Sequence, residues 1–198
     1  MLGYKSYIME NKMKVDKRFL LKHNACGECF KWFVNQKSKD IDFLFKALIR
    51  DKKSLNWANW YLCRRLKKLD RVKYAVFSSH QILPAFEEKY PDNYLPRKLI
   101  EATEKYIKNP IKKNKENAAR ISSDIFNTVK ATRNYHHVAF HGAFRSAYYA
   151  IKSFSNTDFS FYGAPYYAAA SAACDADEKE TMIKIIQNGI KLLKGENK

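Results

Sequence analysis

Turn-forming residues are scarce in this chain of 198 residues, which contains only 6 glycines and 5 prolines. All-β folds need frequent glycine-rich turns, so this scarcity argues against a sandwich or a barrel. Long apolar runs are also absent, and none approaches the roughly 18 residues that a membrane-spanning helix needs. We therefore expect a helical protein with no membrane partner.

We expect no secretory signal either, because Lys5, Glu10, Lys12 and Lys14 interrupt the first apolar residues. Four cysteines, in a chain of this length without an export signal, are typical of reduced thiols in a cytosol. The expected location is therefore the cytoplasm.

Acidic residues are few in comparison with basic ones. The chain has 20 Asp and Glu against 37 Lys and Arg, which gives a formal net charge of +17. The imbalance is greatest in residues 1–70, which hold 17 basic and 7 acidic side chains. A surplus of this size attracts nucleic acid, anionic lipid or an acidic protein face. Because Lys far outnumbers Arg, compositional drift is an equally good explanation, and the sequence leaves both open.

Apolar residues are plentiful, at 46 % of the chain, and 15 % of all residues are aromatic. A chain of this length can bury a real core, and its apolar residues recur at the three- and four-residue spacing of helices. The sequence predicts one all-α domain over residues 1–198, a multi-helix bundle or irregular array of about eight to ten helices. Residues 1–14 are expected to fray, and residues 109–117 to form a basic internal linker.

Several helix boundaries follow from residues that cap or break helices. Asp16, Asp40 and Asp70 each precede an apolar periodic stretch, which predicts three N-caps. A further helix is expected to begin at Ser54. Pro84 falls inside the stretch after Asp70, where it removes a backbone hydrogen bond, so we expect a kink or a helix junction there.

Two cysteines, Cys26 and Cys29, form a C-x-x-C pair with His23 three residues upstream. A zinc site would need a fourth ligand, for which Cys63 is the only obvious candidate. Redox chemistry would need a preceding strand and a parallel sheet, and the sequence predicts neither. The spacing also suits two thiols on one buried helical face, so we favour packed cysteines.

Three histidines, His136, His137 and His141, lie close together, and His137 and His141 share a helical face. The metalloprotease motif places Glu after the first histidine, whereas Val138 occupies that position here. No acidic residue lies nearby to complete a site, so packed histidines are favoured over a metal centre. No G-x-S-x-G motif or glycine-rich phosphate loop is present. The sequence thus predicts no catalytic residue, no metal and no cofactor.

Two basic segments are candidate binding surfaces. In the first, aromatic and basic residues alternate, as in proteins that stack the bases of a single-stranded nucleic acid on rings. The alternative is an ordinary amphipathic helix that buries its rings and exposes its charges, and this alternative is favoured because no known nucleic-acid motif is present. The first segment comprises Trp57, Trp60, Arg64, Arg65, Lys67 and Lys68, and the second comprises Lys112, Lys113 and Lys115.

Residues 73–107 carry a recognisable pattern: an apolar helix ending in LP-x-FE-x-x-YP, a short acidic loop, and PRK-x-IEA at the start of the next helix. The residues that match it are Leu83, Pro84, Phe86, Glu87, Tyr90, Pro91, Asp92, Pro96, Arg97, Lys98, Ile100, Glu101 and Ala102. This block resembles a family of small helical bacterial proteins described as immunity proteins. Weaker similarities lie at Ala25-Cys26 with Trp32-Phe33 and at residues 136–152.

The resemblance implies a non-catalytic protein that neutralises a toxin by stoichiometric binding, without a cofactor. The net charge of +17 is unusual for a protein that binds a basic nuclease, so the expected target is an acidic toxin or a host defence protein. The alternative is a basic nucleic-acid-binding module or a phage-type inhibitor of a host defence system. A metal-dependent enzyme that uses His137 and His141 is a distant third possibility.

The matched block also allows a prediction from physical chemistry. Arg97 and Lys98 fall in a first helical turn, where positive charge opposes the helix dipole unless an acid compensates it. We expect Arg97 to pair with Glu87 or Glu101 and to lock the turn between two helices. On this interpretation the motif is structural, with Pro84, Glu87, Tyr90, Pro91, Pro96, Arg97 and Glu101 as its members.

Overall fold

The computed structural model describes residues 14–131 and 178–196, and within them the fold is all-α, as predicted, with eight helices and no strand. The helices are α1 (Lys17–Lys22), α2 (Gly27–Val34), α3 (Ile41–Arg50), α4 (Asn56–Arg65), α5 (Lys68–Lys89), α6 (Leu95–Lys108), α7 (Lys112–Ala131) and α8 (Glu178–Lys194). Predictions that concern residues 132–177, among them the three histidines, lie outside the described residues.

Two of the three predicted N-caps are confirmed. The side chain of Asp16 accepts the amide of Arg18 at the start of α1 (3.0 Å). Asp40 accepts the amides of Asp42 and Phe43 at the start of α3 (2.9 and 3.1 Å). These bonds satisfy amides that have no partner inside the helix, and they explain why both helices begin where the sequence predicts.

The chain just before α1 is tied to the loop that precedes α3. Lys14 forms an isolated bridge with Asp40, and the amide of Val15 donates to the carbonyl of Lys39 (2.8 Å). The Lys39 ammonium in turn closes the end of α2 by donating to carbonyls that include that of Phe33 (2.6 Å). Of the lead-in that was expected to fray, Lys14 is therefore held in place, and the rest lies outside the described residues.

The core forms where α8 packs on α4 and α5, with α6 beside α5 and α7 beside α6. Ile185 and Ile186 of α8 are completely buried, as is Tyr74 of α5. Gly189 allows the close approach of α8, because a Cβ at this position would lie 2.7 Å from Leu62 and 2.8 Å from Tyr74. Leu62 and the Tyr74 ring are thus the side chains that lie against α8 at this position.

Three predicted boundaries along α4 and α5 need correction. The helix expected from Ser54 begins at Asn56, and Asp70 lies in the first turn of α5 without capping it. The junction considered at Pro84 does not exist, because α5 runs unbroken from residue 68 to residue 89. Pro84 has no N–H to donate to the carbonyl of His80, four residues earlier. Because both residues are exposed, this carbonyl lies on the solvent side of the helix.

The prediction of a linker over residues 109–117 is wrong, because α7 begins at Lys112 and leaves only three connecting residues. The side-chain amide of Asn114 donates to the backbone carbonyl of Asn109 (2.8 Å), which closes the end of α6, and Asn114 is buried. Ala118 is completely buried, whereas Ile111, the last apolar residue before the segment, is 47 % exposed. Asn114 and Ala118 therefore anchor the start of α7, and the sequence prediction missed this because it relied on larger apolar residues to indicate a helix.

Candidate functional site: a basic cluster at the ends of α1 and α4

The first basic segment is divided between two helices. Arg64 and Arg65 lie in the last turn of α4, where positive charge favours the helix dipole. Leu66 is buried at the break, and Lys67 precedes α5 as an N-cap residue whose side chain makes no capping bond. Lys68 begins α5 and is half-buried. The run of basic residues in the sequence is therefore a helix end followed by a helix start.

The two tryptophans of this segment are occupied within the fold. The Trp57 ring packs beside Trp32, with 5.9 Å between ring centroids. The guanidinium of Arg64 lies over the Trp60 ring at 4.3 Å, a cation–π contact. Trp57 and Trp60 are half-buried, and with the buried Tyr61 they line an apolar cavity of about 50 Å³. The three rings therefore share one side of α4, which faces the interior, as in the amphipathic alternative that the sequence favoured.

Folding adds two basic residues to Arg64 and Arg65 that the sequence analysis missed. The ring of Phe19 in α1 lies 4.3 Å from His23 and 5.1 Å from the guanidinium of Arg65. Partial burial, followed by the charges of Arg64, Lys22 and Arg65, lowers the pKa of His23. We define the basic cluster as Lys22, His23, Arg64, Arg65 and Lys67.

Lys67 joins this cluster through a cleft that it shares with Arg65. The cleft has a volume of about 250 Å³ and lies between the α4–α5 break and the end of α8. Lys194 and Asp70 also contribute to its lining, but the ammonium of Lys194 is bonded to the carboxylate of Asp42 (2.6 Å). This contact raises the pKa of Lys194, chiefly through the hydrogen bond to Asp42.

Most of the nearby acidic residues are bonded inside the fold, and Asp70 of the cleft lies 3.9 Å from Lys73. Asp16 and Asp40 are N-caps, and Asp42 holds Lys194. Asp51 accepts from the Trp32 ring nitrogen (3.0 Å) and from Arg50 (2.7 Å), and these hydrogen bonds lower its pKa. Lys22, Arg65 and Lys67 belong to the basic cluster, and none of the three forms an ion pair within residues 14–131 and 178–196.

The second predicted basic segment forms a separate surface. Lys112 and Lys113 are exposed in the first turn of α7, and Lys115 is half-buried. Lys112 lies 3.7 Å from Glu116, one helical turn away. Helix α7 packs on α6, whereas the basic cluster is built from α1 and α4 and the start of α5. The fold therefore leaves the two basic segments apart.

The turn motif contains the ion pair that was predicted for it. Arg97 donates to both carboxylate oxygens of Glu87 at 2.5 Å, which confirms the pairing. Pro96 is buried at the start of α6, and Tyr90, the C-cap of α5, packs against Phe86 with ring centroids 5.1 Å apart. Pro84, Pro91 and Glu101 are exposed around this turn.

The cysteines do not gather around a metal in the part of the chain that the structure describes, where no group of three His, Cys, Asp or Glu is placed to hold one. Cys63 is completely buried, and its thiol bonds to Asn59 (3.6 Å). Cys29 is buried as predicted, but Cys26 is exposed, so the expectation of one buried face for both thiols is wrong. Cys26 stands at the N-cap, outside the regular helix, which turns it away from that face.

None of the described helices has the length and apolar character needed to cross a membrane.

Comparison with known proteins found no match among family models, curated proteins or solved structures.

Proposed function

We propose that this protein neutralises a protein target by stoichiometric binding, and that the basic cluster contacts an acidic face of that target. The observation that carries the proposal is the convergence of Lys22, Arg65 and Lys67 on one region, in which Asp16 and Asp42 are bonded within the fold and Asp70 shares the cleft of Arg65 and Lys67. An acidic partner would supply the missing counter-charges and would accelerate its own association by electrostatic steering.

The placement of the arginines also supports a protein partner. Arg64 and Arg65 lie over the rings of Trp60 and Phe19, so both guanidinium groups are oriented before a partner arrives. Side chains held in this way lose less conformational entropy on binding, and arginine is enriched among the residues that contribute most to interfaces. Exposed Lys22 and Lys67 flank the two arginines and suit the polar rim of such an interface.

Nucleic acid is the weaker candidate because the rings are already in use. Stacking of single-stranded bases needs ring faces that are open to solvent. Trp57 packs beside Trp32, and Arg64 covers Trp60, so these two faces are taken. The phosphate contacts of a nucleic acid remain feasible for the cluster, and the experiments below distinguish the two partners.

The resemblance of residues 73–107 to the immunity family supports the same proposal. In this interpretation the block is scaffold, since Arg97 and Glu87 bond to each other across the turn from α5 to α6. The binding surface then lies on α1, α4 and the start of α5, outside that block.

The proposal is tested by affinity purification from the native host with the tagged full chain, followed by reconstitution of each captured protein in pure form. The test variant is Lys22→Glu with Lys67→Glu, and both of these side chains are exposed. The control is Lys112→Glu with Lys113→Glu, which makes the same charge change on exposed residues of α7. We expect a 1:1 complex in calorimetry, loss of the target's activity, and at least about tenfold weaker binding for the test variant only, since each interfacial charge contributes on the order of 1 kcal/mol.

Equal affinity of the test variant and the wild type for the reconstituted target would refute the assignment of this surface. Electrophoretic mobility shifts with single- and double-stranded nucleic acid over a salt series provide the second arm. A shift that weakens steeply with salt and is lost in the test variant would replace the protein target with nucleic acid.

A further inference from the structure

The exposed Cys26 and the buried Cys29 form a pair at the first turn of α2. Cys26 is the N-cap residue, and its sulfur accepts the amide N–H of Cys29 at 3.4 Å. This is the N-cap to N3 relationship of a capping box, in which the N-cap side chain bonds the backbone amide of the N3 residue. The bond places the Cys26 sulfur beside the backbone of Cys29.

A disulfide between these two positions needs little movement of the backbone. Disulfides join residues whose Cα atoms lie about 4.4–6.8 Å apart, and residues three apart at a helix start fall in that range. Gly27, between the two cysteines, has no atom of another residue within 4 Å of its Cβ position, so the turn has free space around it. The spacing of the reduced pair is thus compatible with closure after a small movement of the turn.

The two thiols differ in the way that a dithiol exchange reaction requires. Cys26 can be reached by a molecule in solution, whereas Cys29 is only 8 % exposed. Burial raises the pKa of Cys29 to about 12, so its thiol is protonated at neutral pH and does not compete with Cys26 for a disulfide in solution. Cys63 is completely buried in α4 and cannot take the place of either cysteine.

We propose that Cys26 and Cys29 form a thiol–disulfide exchange site whose substrates are low-molecular-weight disulfides such as oxidised glutathione. The sequence analysis tied redox chemistry to a strand and a parallel sheet, whereas here the N-cap position alone brings the two cysteines together. Cys26 is the attacking residue, and Cys29 is the resolving residue. The site is independent of the proposed binding function, since it uses neither the basic cluster nor a protein target.

The reaction balances without any other oxidant. Cys26 gives up its proton and attacks one sulfur of the disulfide RSSR, which forms a Cys26–SR bond and releases RS⁻. Cys29 then gives up its proton and attacks the Cys26 sulfur, which forms the Cys26–Cys29 bond and releases the second RS⁻. The two leaving thiolates take up the two protons. The protein dithiol is oxidised by two electrons, and RSSR is reduced to two RSH.

The experiment exposes the full-length protein to glutathione buffers of increasing oxidising power, quenches with acid and alkylates the remaining thiols. Intact mass and peptide mapping then count the thiols and locate each modification. We expect the wild type to lose the thiols of Cys26 and Cys29 together and to form a disulfide between them. The single variants separate the two roles.

Cys29→Ser should accumulate a mixed disulfide with glutathione on Cys26, because no resolving thiol remains. Cys26→Ser should leave Cys29 unmodified over the same period, and it should fold normally because serine is a favoured N-cap residue. Cys29→Ala provides a second form of the resolving variant that places no hydroxyl in the core, and circular dichroism checks the fold of each. A wild type that keeps glutathione on Cys26 beside a free Cys29 thiol, or that remains fully reduced in every buffer, would overturn the proposal.

Discussion

The guanidinium of Arg97 bonds both carboxylate oxygens of Glu87 at 2.5 Å, and so joins the first turn of α6 to the last turn of α5. Helix α6 has no acidic residue in its own first turn, where Arg97 and Lys98 oppose the dipole. The compensating charge is therefore supplied by the preceding helix. A bidentate contact also restricts the angle between the two helices more than a single hydrogen bond would.

This pair predicts a pH-dependent contribution to stability. The hydrogen bond from Arg97, and then its charge, lower the pKa of Glu87. A carboxyl whose pKa is lower in the folded state stabilises the fold above its unfolded value of about 4.3, and that stability is lost as pH falls through the folded value. Arg97→Lys keeps the charge but loses the bidentate geometry of the guanidinium. We therefore expect a lower Tm than that of the wild type at neutral pH, and a smaller difference in Tm between the two proteins in acid. Thermal unfolding over a pH series measures both.

The control for this pair is Arg120→Lys in α7. Arg120 contacts Asp124 one turn away at 3.2 Å, and both side chains are more than 60 % exposed. Exposed pairs within one helix contribute little, so its Tm should match that of the wild type at every pH. An equal loss of Tm for both substitutions would mean that the Arg97 contact has no special role in the turn.

Gly189→Ala should destabilise the protein, although alanine is the better helix former. The added Cβ would lie 2.7 Å from Leu62 and 2.8 Å from the Tyr74 ring. Leu62 ends in a flexible methyl group, but Tyr74 is held by its hydroxyl, which donates to Asn59 (2.8 Å). Overpacking of this kind, less the propensity gain, should lower the free energy of unfolding by about 1–2 kcal/mol. Urea unfolding tests this, with Gly27→Ala as the control.

Gly27 is exposed, and no atom lies within 4 Å of its Cβ position. Gly27→Ala should therefore leave stability unchanged or raise it by up to about 1 kcal/mol. A Gly189→Ala protein as stable as Gly27→Ala would show that α8 can move away from Tyr74 without loss, and the tight packing described here would be incorrect.

The hydrogen bond between Tyr74 and Asn59 predicts a second core effect. Both residues are completely buried, and the side-chain oxygen of Asn59 also accepts a weak hydrogen bond from the Cys63 thiol (3.6 Å). Tyr74→Phe keeps the ring but removes the stronger donor, so we expect a loss of about 1–2 kcal/mol in denaturant unfolding. Tyr94→Phe, at a tyrosine that is 57 % exposed, should change stability by less than about 0.5 kcal/mol. Equal stability of the two variants would contradict the buried bond.

The features that the sequence predicted correctly depend on residues near each other in the chain. Asp16 and Asp40 cap helices through amides two or three residues away. Arg97 and Glu87 are ten residues apart and separated by a short proline-bounded turn, so few other partners can compete. In these places local chemistry and the final fold agree.

The features that sequence reasoning missed depend on contacts between distant segments or on a shift of one residue. Lys22 and Arg64 lie 42 positions apart, and no pattern in either segment indicates that α1 and α4 meet. Asn114 is polar and was interpreted as part of a linker, because its burial depends on the carbonyls at the end of α6. Cys26 is exposed only because α2 begins at Gly27, and helix ends are the least predictable part of a helix.

The basic cluster predicts the titration of His23. Partial burial and the charges of Arg64, Lys22 and Arg65 disfavour its protonated form and lower its pKa below 6.5. Lys22 is exposed, so Lys22→Gln should remove one of these charges without disturbing the packing of Phe19 on His23. The pKa of His23 should rise in Lys22→Gln, and added salt should raise it in the wild type by screening the same charges. NMR titration of the imidazole protons, with His23→Gln to assign the signal, measures both shifts.

The sign of the linked effect on stability follows from this direction. Because the folded state holds the His23 proton more weakly than the unfolded state, the unfolded chain binds more protons below pH 6.5. The fold therefore loses stability as pH falls from 6.5 to the lower folded pKa, and the contribution is constant outside that interval. Urea unfolding above and below pH 6.5 measures this loss, which should be smaller in Lys22→Gln than in the wild type. In a His23→Gln background, Lys22→Gln should have no pH-dependent effect on stability. An unchanged His23 pKa in Lys22→Gln would show that Lys22 lies too far from the imidazole to belong to the cluster. The surface assigned to an acidic partner would then be reduced to Arg64, Arg65 and Lys67.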